Sequence, residues 1–473
     1  MQISEKVAPL PYPVVKQRPK IMPKVILEET EIVRNLADLK GIMKGNRLSI
    51  FSLVLCSHLV VLGQFKNQRV SQDREGQRPA VEPAVVISPV NTQNIVIGAG
   101  PNRAIFSKDG GTTWLETELK SSFGVIGDPV LTADHKGHFY YFHLSDPAGK
   151  GRSTDMWLDR IVSQRSEDGG MFWNDGTFTG LLHPKDNDKP WAAAHPKKDF
   201  LALTWTQFDQ YGSQDKTCQS NILFSKSTNR SDKWSEPVRI NKISGDCMDD
   251  DFTAMGAVPY IDAQGRTFVT WAQGGLIYLD RSFDGGETWL RSDITVTRQL
   301  GGWTMTVPGL GRCNGLPVLC GDHSGSPFTG SLYVVYGDQR LGEDSDIWFI
   351  KSPNRGDNWS EAVRVGTKTT GHQFMPWVAV DQTTGHIYIL YYSRHGLQGN
   401  QTDVYLAWSV DGGSKFNEIK ISETPFIPEE MVFFGDYLNI SAHKGIIVPV
   451  WTRMENGKTS IYSTVIKESE LPK

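Results

Sequence analysis

One short motif recurs along the chain and constrains its fold more than any other feature. Five copies run from Ser107 through Asp109-Gly110-Gly111 to Trp114, from Ser166 through Asp168-Gly169-Gly170 to Trp173, from Ser282 through Asp284-Gly285-Gly286 to Trp289, from Ser352 through Asn354 and Gly356 to Trp359, and from Ser409 through Asp411-Gly412-Gly413 to Phe416. A sixth, eroded copy runs from Ser227 through Asn229 to Trp234. Asp-Gly-Gly suits a tight hairpin, because glycine accepts positive φ and the Asp side chain can bond the turn's own amides. The aromatic that follows plugs the gap beneath the turn. One such element says little. Six, at intervals of roughly 55–70 residues, describe a repeated four-stranded unit and an all-β propeller.

The blades can be counted from their first hairpins. Each opens with a small or proline-led strand, turns at Gly or Asn, and returns through a strand rich in aromatics. Copies run over Pro83–Gly98, Pro129–Phe142, Pro190–Trp205, Val258–Trp271, Pro317–Tyr336, Pro376–Tyr391 and Tyr437–Trp451. That makes seven openings against six turn motifs. The last unit ends near Ile466 with no motif after it, so an N-terminal segment around Arg69–Pro79 is expected to complete the ring. Seven blades follow, with a six-bladed ring and one diverted opening as the alternative.

Topology then sorts residues by face. In a meander of strands A to D, the Asp-Gly-Gly turns join C to D and lie with the A–B turns on one face. Residues that start strand A or end strand B sit near the axis on the other. Strand B ends carry Asp338 and Arg340, Arg394 and His395, and Arg453; strand A starts carry Asp128, Asp188 and Lys189, His372 and Gln373, and Asp436 and Tyr437. Arginine forks bind a carboxylate bidentately, so three in phase around an axis suit an anionic ligand. For each arginine alone, a local salt bridge is the competing reading.

The motif resembles the Asp-box (BNR) repeat, and the chain from about Glu82 to Ile466 resembles the sialidase-like propellers. That resemblance implies an exported exo-glycosidase acting on acidic or host-type glycans. It implies a carboxylate clamp of Arg340, Arg394 and Arg453, with Asp338, Lys189 and Gln373 also at the substrate. Tyr437 takes the place of the nucleophile, Asp436 a proton-handling role, and Asp128 or Asp188 that of acid/base. The chain also departs from the family pattern. It has no Phe-Arg-Ile-Pro sequence, Arg78-Pro79 being only a faint echo. No Glu matches the nucleophile's partner, although Glu343 and Glu82 are available, and seven units differ from six. These departures support a second reading, a non-catalytic propeller that binds a glycan or a protein at the cell surface.

Residues 1–42 are rich in Pro, Lys and Val without a period and are assigned no fold. Met43, Lys44 and Arg47 precede an apolar run from Leu48 to Leu62, followed by Gly63 and Gln64. The run is shorter than the ~20 residues of a membrane span, and its flanks suit a secretory signal over 43–64. An uncleaved signal anchor is the alternative. The expected mature chain, 65–473, is one propeller domain, exported and monomeric. Of five cysteines, Cys56 falls within the signal; Cys218, Cys247, Cys313 and Cys320 remain. An even count in an exported chain reads as disulfides, with 218–247 and 313–320 the preferred pairing and four unpaired thiols the alternative.

The composition, 39% hydrophobic and 22% charged with a net charge of −4, holds no basic stretch suited to nucleic acid. The expected partner is a carbohydrate. No cofactor is called for. The acidic loop Asp246–Asp251 offers oxygens to Ca²⁺, but it lacks the spacing of an EF-hand, and a solvated loop is the preferred reading. Trp191 and Trp377, each after a proline, are either sugar platforms or inter-blade core.

Overall fold

The computed structural model describes residues 65–472 apart from 75, 77, 368 and 369. The expected extension 1–42 and signal 43–64 lie outside the described residues. Seven antiparallel sheets form a seven-bladed propeller. Their innermost strands are Ala84–Ile87, Val130–Ala133, Asp186–Ala194, Met255–Ile261, Val318–Gly321, Gln373–Val380 and Asn439–His443. In blades 1 to 6 three further strands follow outward in chain order. Each inner strand packs against the next, and the seventh against the first, so the ring closes. The expected seven blades are therefore found, each opening where its first hairpin was read.

Burial is greatest at the second strand and falls toward the outer edge. The second strands of blades 2, 3, 5 and 6, such as Leu201–Phe208, are buried along their whole length, because each lies in a sheet sandwiched between two others. Outermost strands such as Leu115–Glu118 are short and largely exposed. Blade 7 is completed from the other end of the chain: Gln68–Gln72 pairs with Lys458–Ser463 as its outermost strand. Asp73 secures the closure, its carboxylate accepting from Thr459 N at 2.8 Å and Thr459 Oγ1 at 2.7 Å. Closure by the segment near Arg69 was expected from the missing seventh motif.

The six Asp-Gly-Gly-type turns share one hydrogen-bond scheme. The serine Oγ accepts from the amide four residues on, at 2.7–3.0 Å, and donates to the Asp or Asn carboxamide or carboxylate two residues on. At Asp109 the Thr113 hydroxyl and amide, with Ser107, hold the carboxyl down at about 2. The second glycine is sterically required at Gly286, where φ is +86° and a Cβ would lie 2.3 Å from the Phe224 ring. In the eroded copy Ser231 adopts the same region at φ +63°.

The disulfide expectation divides. Cys218 and Cys247 are bonded, with Cα atoms 5.7 Å apart. Cys313 and Cys320 are not, which corrects the second pairing. Their side chains face different cores: Cys313, in a two-stranded ribbon with Thr304–Met305, packs with Val307, Leu310 and Phe374, whereas Cys320 packs from the inner strand of blade 5 into the main cluster. Burial pushes the Cys320 thiol up to about 11 and that of Cys313 higher still, so neither is primed for exchange. Alkylation of the native protein followed by mass analysis should leave both unlabelled, and unfolding without reductant should expose two reactive thiols. Recovery of a peptide linking 313 to 320 would refute this assignment.

Candidate functional site

The inner strands begin with a shared distortion that builds the centre of the ring. Glu82, Asp128, Lys189 and Met375 all adopt positive φ, between 48° and 56°, and each immediately precedes a proline. Left-handed backbone at such residues is strained by ~1–3 kcal/mol and gathers at functional sites. Register shifts follow at Asp188/Trp191 and Phe374/Trp377, and one at Met255/Val258 accompanies Gly256 in blade 4. The kinks turn side chains from distant blades into one axial cluster, on the face opposite the Asp-Gly-Gly turns.

Asp436 organises that cluster. Lys189 Nζ donates to its Oδ2 at 2.5 Å, Arg312 Nε donates to its Oδ1 at 2.8 Å, and Arg312 also donates to Oδ2. Asn314 Nδ2 donates to the Asp436 carbonyl at 2.8 Å, and the Asp436 amide donates to Glu82 Oε1 at 3.2 Å. Burial works against ionisation of Asp436, but Lys189 and Arg312 outweigh it and hold the carboxyl at about 2. Lys189 is only 7% exposed, and despite burial its neighbours Asp128, Asp436 and Asp188 keep it protonated. Arg312 is exposed at the rim, its guanidinium 5.0 Å from the Phe433 ring centre and 3.7 Å from Asp249.

Beside this ion network lie three further carboxyl groups, those of Glu82, Asp128 and Asp188. Asp188 lies near Asp128, and burial followed by the Asp128 charge drives the Asp188 carboxyl well above its usual range. Burial and Asp128 do the same to Glu82. Asp128 Oδ2 is buried without a hydrogen-bond partner. The axis thus holds two carboxyls driven upward, Glu82 and Asp188, near Asp436, which is held at about 2, a divergence of the kind that separates proton donors from acceptors. A raised folded-state value means that the native state binds the extra proton, so stability falls as pH climbs from about 4 through that value. Asp188→Asn keeps a donor to Asp128 and removes this loss. Melting curves from pH 4 to 8 should show the wild type losing ground to the variant; parallel curves would contradict it.

Tyr437 is placed differently from its expected role. Its ring joins Trp191, at 5.0 Å, and Trp377 in a plug across the axis, the two indoles being 4.4 Å apart. The hydroxyl donates to the Pro129 carbonyl at 3.2 Å. Burial, then Asp128 and Glu82, hold the phenol firmly neutral, which disfavours a tyrosinate nucleophile. The two tryptophans are core rather than open platforms. A cavity of ≈ 20 Å³, room for about one water, remains among Lys189, Trp191, Asn314, Trp377, Asp436 and Tyr437.

Each of the three expected clamp arginines has its own set of partners. Arg340 is held by Asp338 at 2.9 Å and by the Tyr336 hydroxyl at 2.8 Å. Arg394 donates to the Pro308 carbonyl at 2.6 Å and to Thr402 and Asn400. Arg453 is bonded to Glu455 at 2.9 Å and to the Thr424 carbonyl. Each arginine is therefore engaged by partners away from a shared carboxylate site, although Arg394 Nη2 is buried without one. Asp338 is fully buried under Arg340, and Gln373 is buried where its amide donates to Ser345 O at 2.7 Å. The axial cation missed by sequence reasoning is Arg312, in an irregular stretch between blades 4 and 5.

Carboxylates of the acidic loop diverge instead of forming a cage. Asp246 accepts from Thr253 Oγ1 at 2.8 Å, Asp250 from Phe252 N at 2.9 Å, and Asp251 from Thr304 N at 2.7 Å. Asp249 accepts from the Tyr211 hydroxyl at 2.6 Å and joins the axial rim. Among the described residues no group of three or more His, Cys, Asp or Glu side chains has metal-binding geometry, and no helix is long and apolar enough to cross a membrane.

No family model matches the chain, and no curated protein matches it. Solved structures similar to it include a Hadza microbial sialidase, with 13% identity, 80% of this chain and 74% of that one covered, and a TM-score of 0.45. An ulvan lyase of a polysaccharide lyase family matches with 12% identity, 85% and 96% covered, and a TM-score of 0.49. A sialidase of Trypanosoma rangeli matches with 12% identity, 85% and 59% covered, and a TM-score of 0.44.

Proposed function

We propose that the protein is a glycan-cleaving enzyme whose reaction centre is the axial cluster. The observation that carries this reading is the carboxyl set Glu82, Asp128 and Asp188, in which two acids driven above their usual range adjoin Asp128, whose Oδ2 is buried without a hydrogen-bond partner. Cleaving a glycosidic bond requires a proton for the leaving oxygen and a base for the incoming or departing proton. Asp188 or Glu82 supplies the first and Asp128 the second. Lys189, Arg312, Asn314 and Asp249 provide the donors and acceptors that a polyhydroxylated ring requires. Phe433, 42% exposed at the rim beside Arg312, offers an apolar face for stacking.

The neutral Tyr437 argues for proton transfer by the carboxyl set in place of tyrosine nucleophilic catalysis. Acidity of the glycan is not required, because Asp436 and Asp249 together offset the axial cations Lys189 and Arg312. The test is incubation of the mature protein with panels of neutral and acidic oligosaccharides and aryl glycosides, with products read by mass spectrometry. Release of a shorter glycan supports the proposal. Binding without product across the panel would transfer support to a non-catalytic glycan receptor, a reading favoured by the self-satisfied Lys189–Asp436–Arg312 network.

A further inference from the structure

A second cleft adjoins the axial cluster through one residue, Tyr211. Its hydroxyl bonds Asp249, which faces Arg312, and its ring also lines a cleft of ≈ 360 Å³ with Arg152, Asp155, Trp157, Asp186 and Asp209. That volume lies within the range of small-ligand sites. The lining comes from the B–C loop of blade 2 and from the start and B–C loop of blade 3, on the same face as the axial cluster.

Its construction is specific. Trp157 meets Tyr211 edge to face with centroids 6.1 Å apart. The Arg152 guanidinium lies 4.9 Å from one ring centre and 5.2 Å from the other. Although Arg152 is exposed, it makes no ion pair or hydrogen bond among the described residues, so the rings fix a guanidinium whose donors are all available. Asp186 Oδ2 accepts from the Tyr211 amide at 2.8 Å, and Lys185 Nζ lies 2.8 Å from Asp209 Oδ1. Three carboxyl groups against two cations leave no surplus positive charge for an anion. An aromatic cluster with both donors and acceptors suits hydroxyl groups on an apolar ring.

We propose that this cleft is a second sugar subsite, so that the ligand is a glycan of at least two units, uncharged where it crosses Trp157 and Arg152. The inference rests on the glycan reading of the axial cluster. Its test is calorimetric titration of the mature protein with cello-, manno-, xylo-, galacto- and galacturono-oligosaccharides of one to four units. A neutral series should bind, with affinity rising about tenfold or more between one and three units. Trp157→Ala and Arg152→Gln should each erase that gain and leave affinity for the single sugar unchanged. Arg152 is exposed, so its variant keeps the test valid if the loss of Trp157 disturbs folding. A gain that is absent, survives both substitutions, or appears only with galacturonates overturns the subsite while sparing the axial reading. Failure of every sugar to bind, single units included, overturns both.

Discussion

Asp128→Asn should lower turnover of the cleaved glycan by about 10²–10⁴-fold, the usual contribution of a positioned acid or base. Affinity for the uncleaved glycan should change little. Asparagine preserves the shape of the side chain and can still bond Asp188, but it cannot accept the proton in flight. The same substitution removes the charge that helps keep Asp188 and Glu82 protonated, so the pH dependence of any residual activity should shift as well. Initial rates and titration of the variant with intact ligand separate the two effects. Unchanged turnover would remove Asp128 from the chemistry and, with it, the main support for an enzyme.

Asp436→Ala should be the most destabilising single change at the axis, costing about 3–5 kcal/mol. It leaves the Lys189 ammonium buried beside an aromatic plug without its closest counter-ion, and Arg312 cannot compensate because it carries the same charge. The reverse experiment is equally informative. Pairing Asp436→Leu with Lys189→Met removes both buried charges and should recover most of the loss, since well-packed apolar replacements of buried ion pairs are often neutral in stability. Denaturant unfolding of the three proteins measures this. A loss below about 1 kcal/mol for Asp436→Ala would show that the ion pair is as weak as an exposed one.

Much of the frame was legible because the signals were local. Ser-x-Asp-Gly-Gly states its turn within five residues, and the proline-led hairpins state where each blade begins. Asp128, Asp188, Lys189 and Asp436 were found for the same reason: strand A starts must approach the axis. The arginines misled because strand B ends permit a simpler outcome. Arg453 and Glu455, two residues apart on one side of an extended strand, close on each other, and Asp338, the last residue of its strand, is met by Arg340 from the turn that follows. That spacing was present in the sequence. Arg312 had no comparable signal, since it reaches Asp436 across 124 residues from a loop without repeat character. Nor does sequence convey depth, which turned Tyr437 from a candidate nucleophile into part of the plug.

Ring closure by Gln68–Gln72 has a consequence for how the molecule is made. Asp73 and Thr459 are 386 residues apart, so the strand synthesised first is paired with one of the last to appear. At about 5–20 residues per second, some 20–80 s separate the two on the ribosome. Throughout that interval the blade that locks the circle does not exist, and inner strands at both ends of the growing arc lack a neighbour. The last stretch of translation, or of translocation if the chain is exported, therefore decides whether the arc closes on itself or on another molecule.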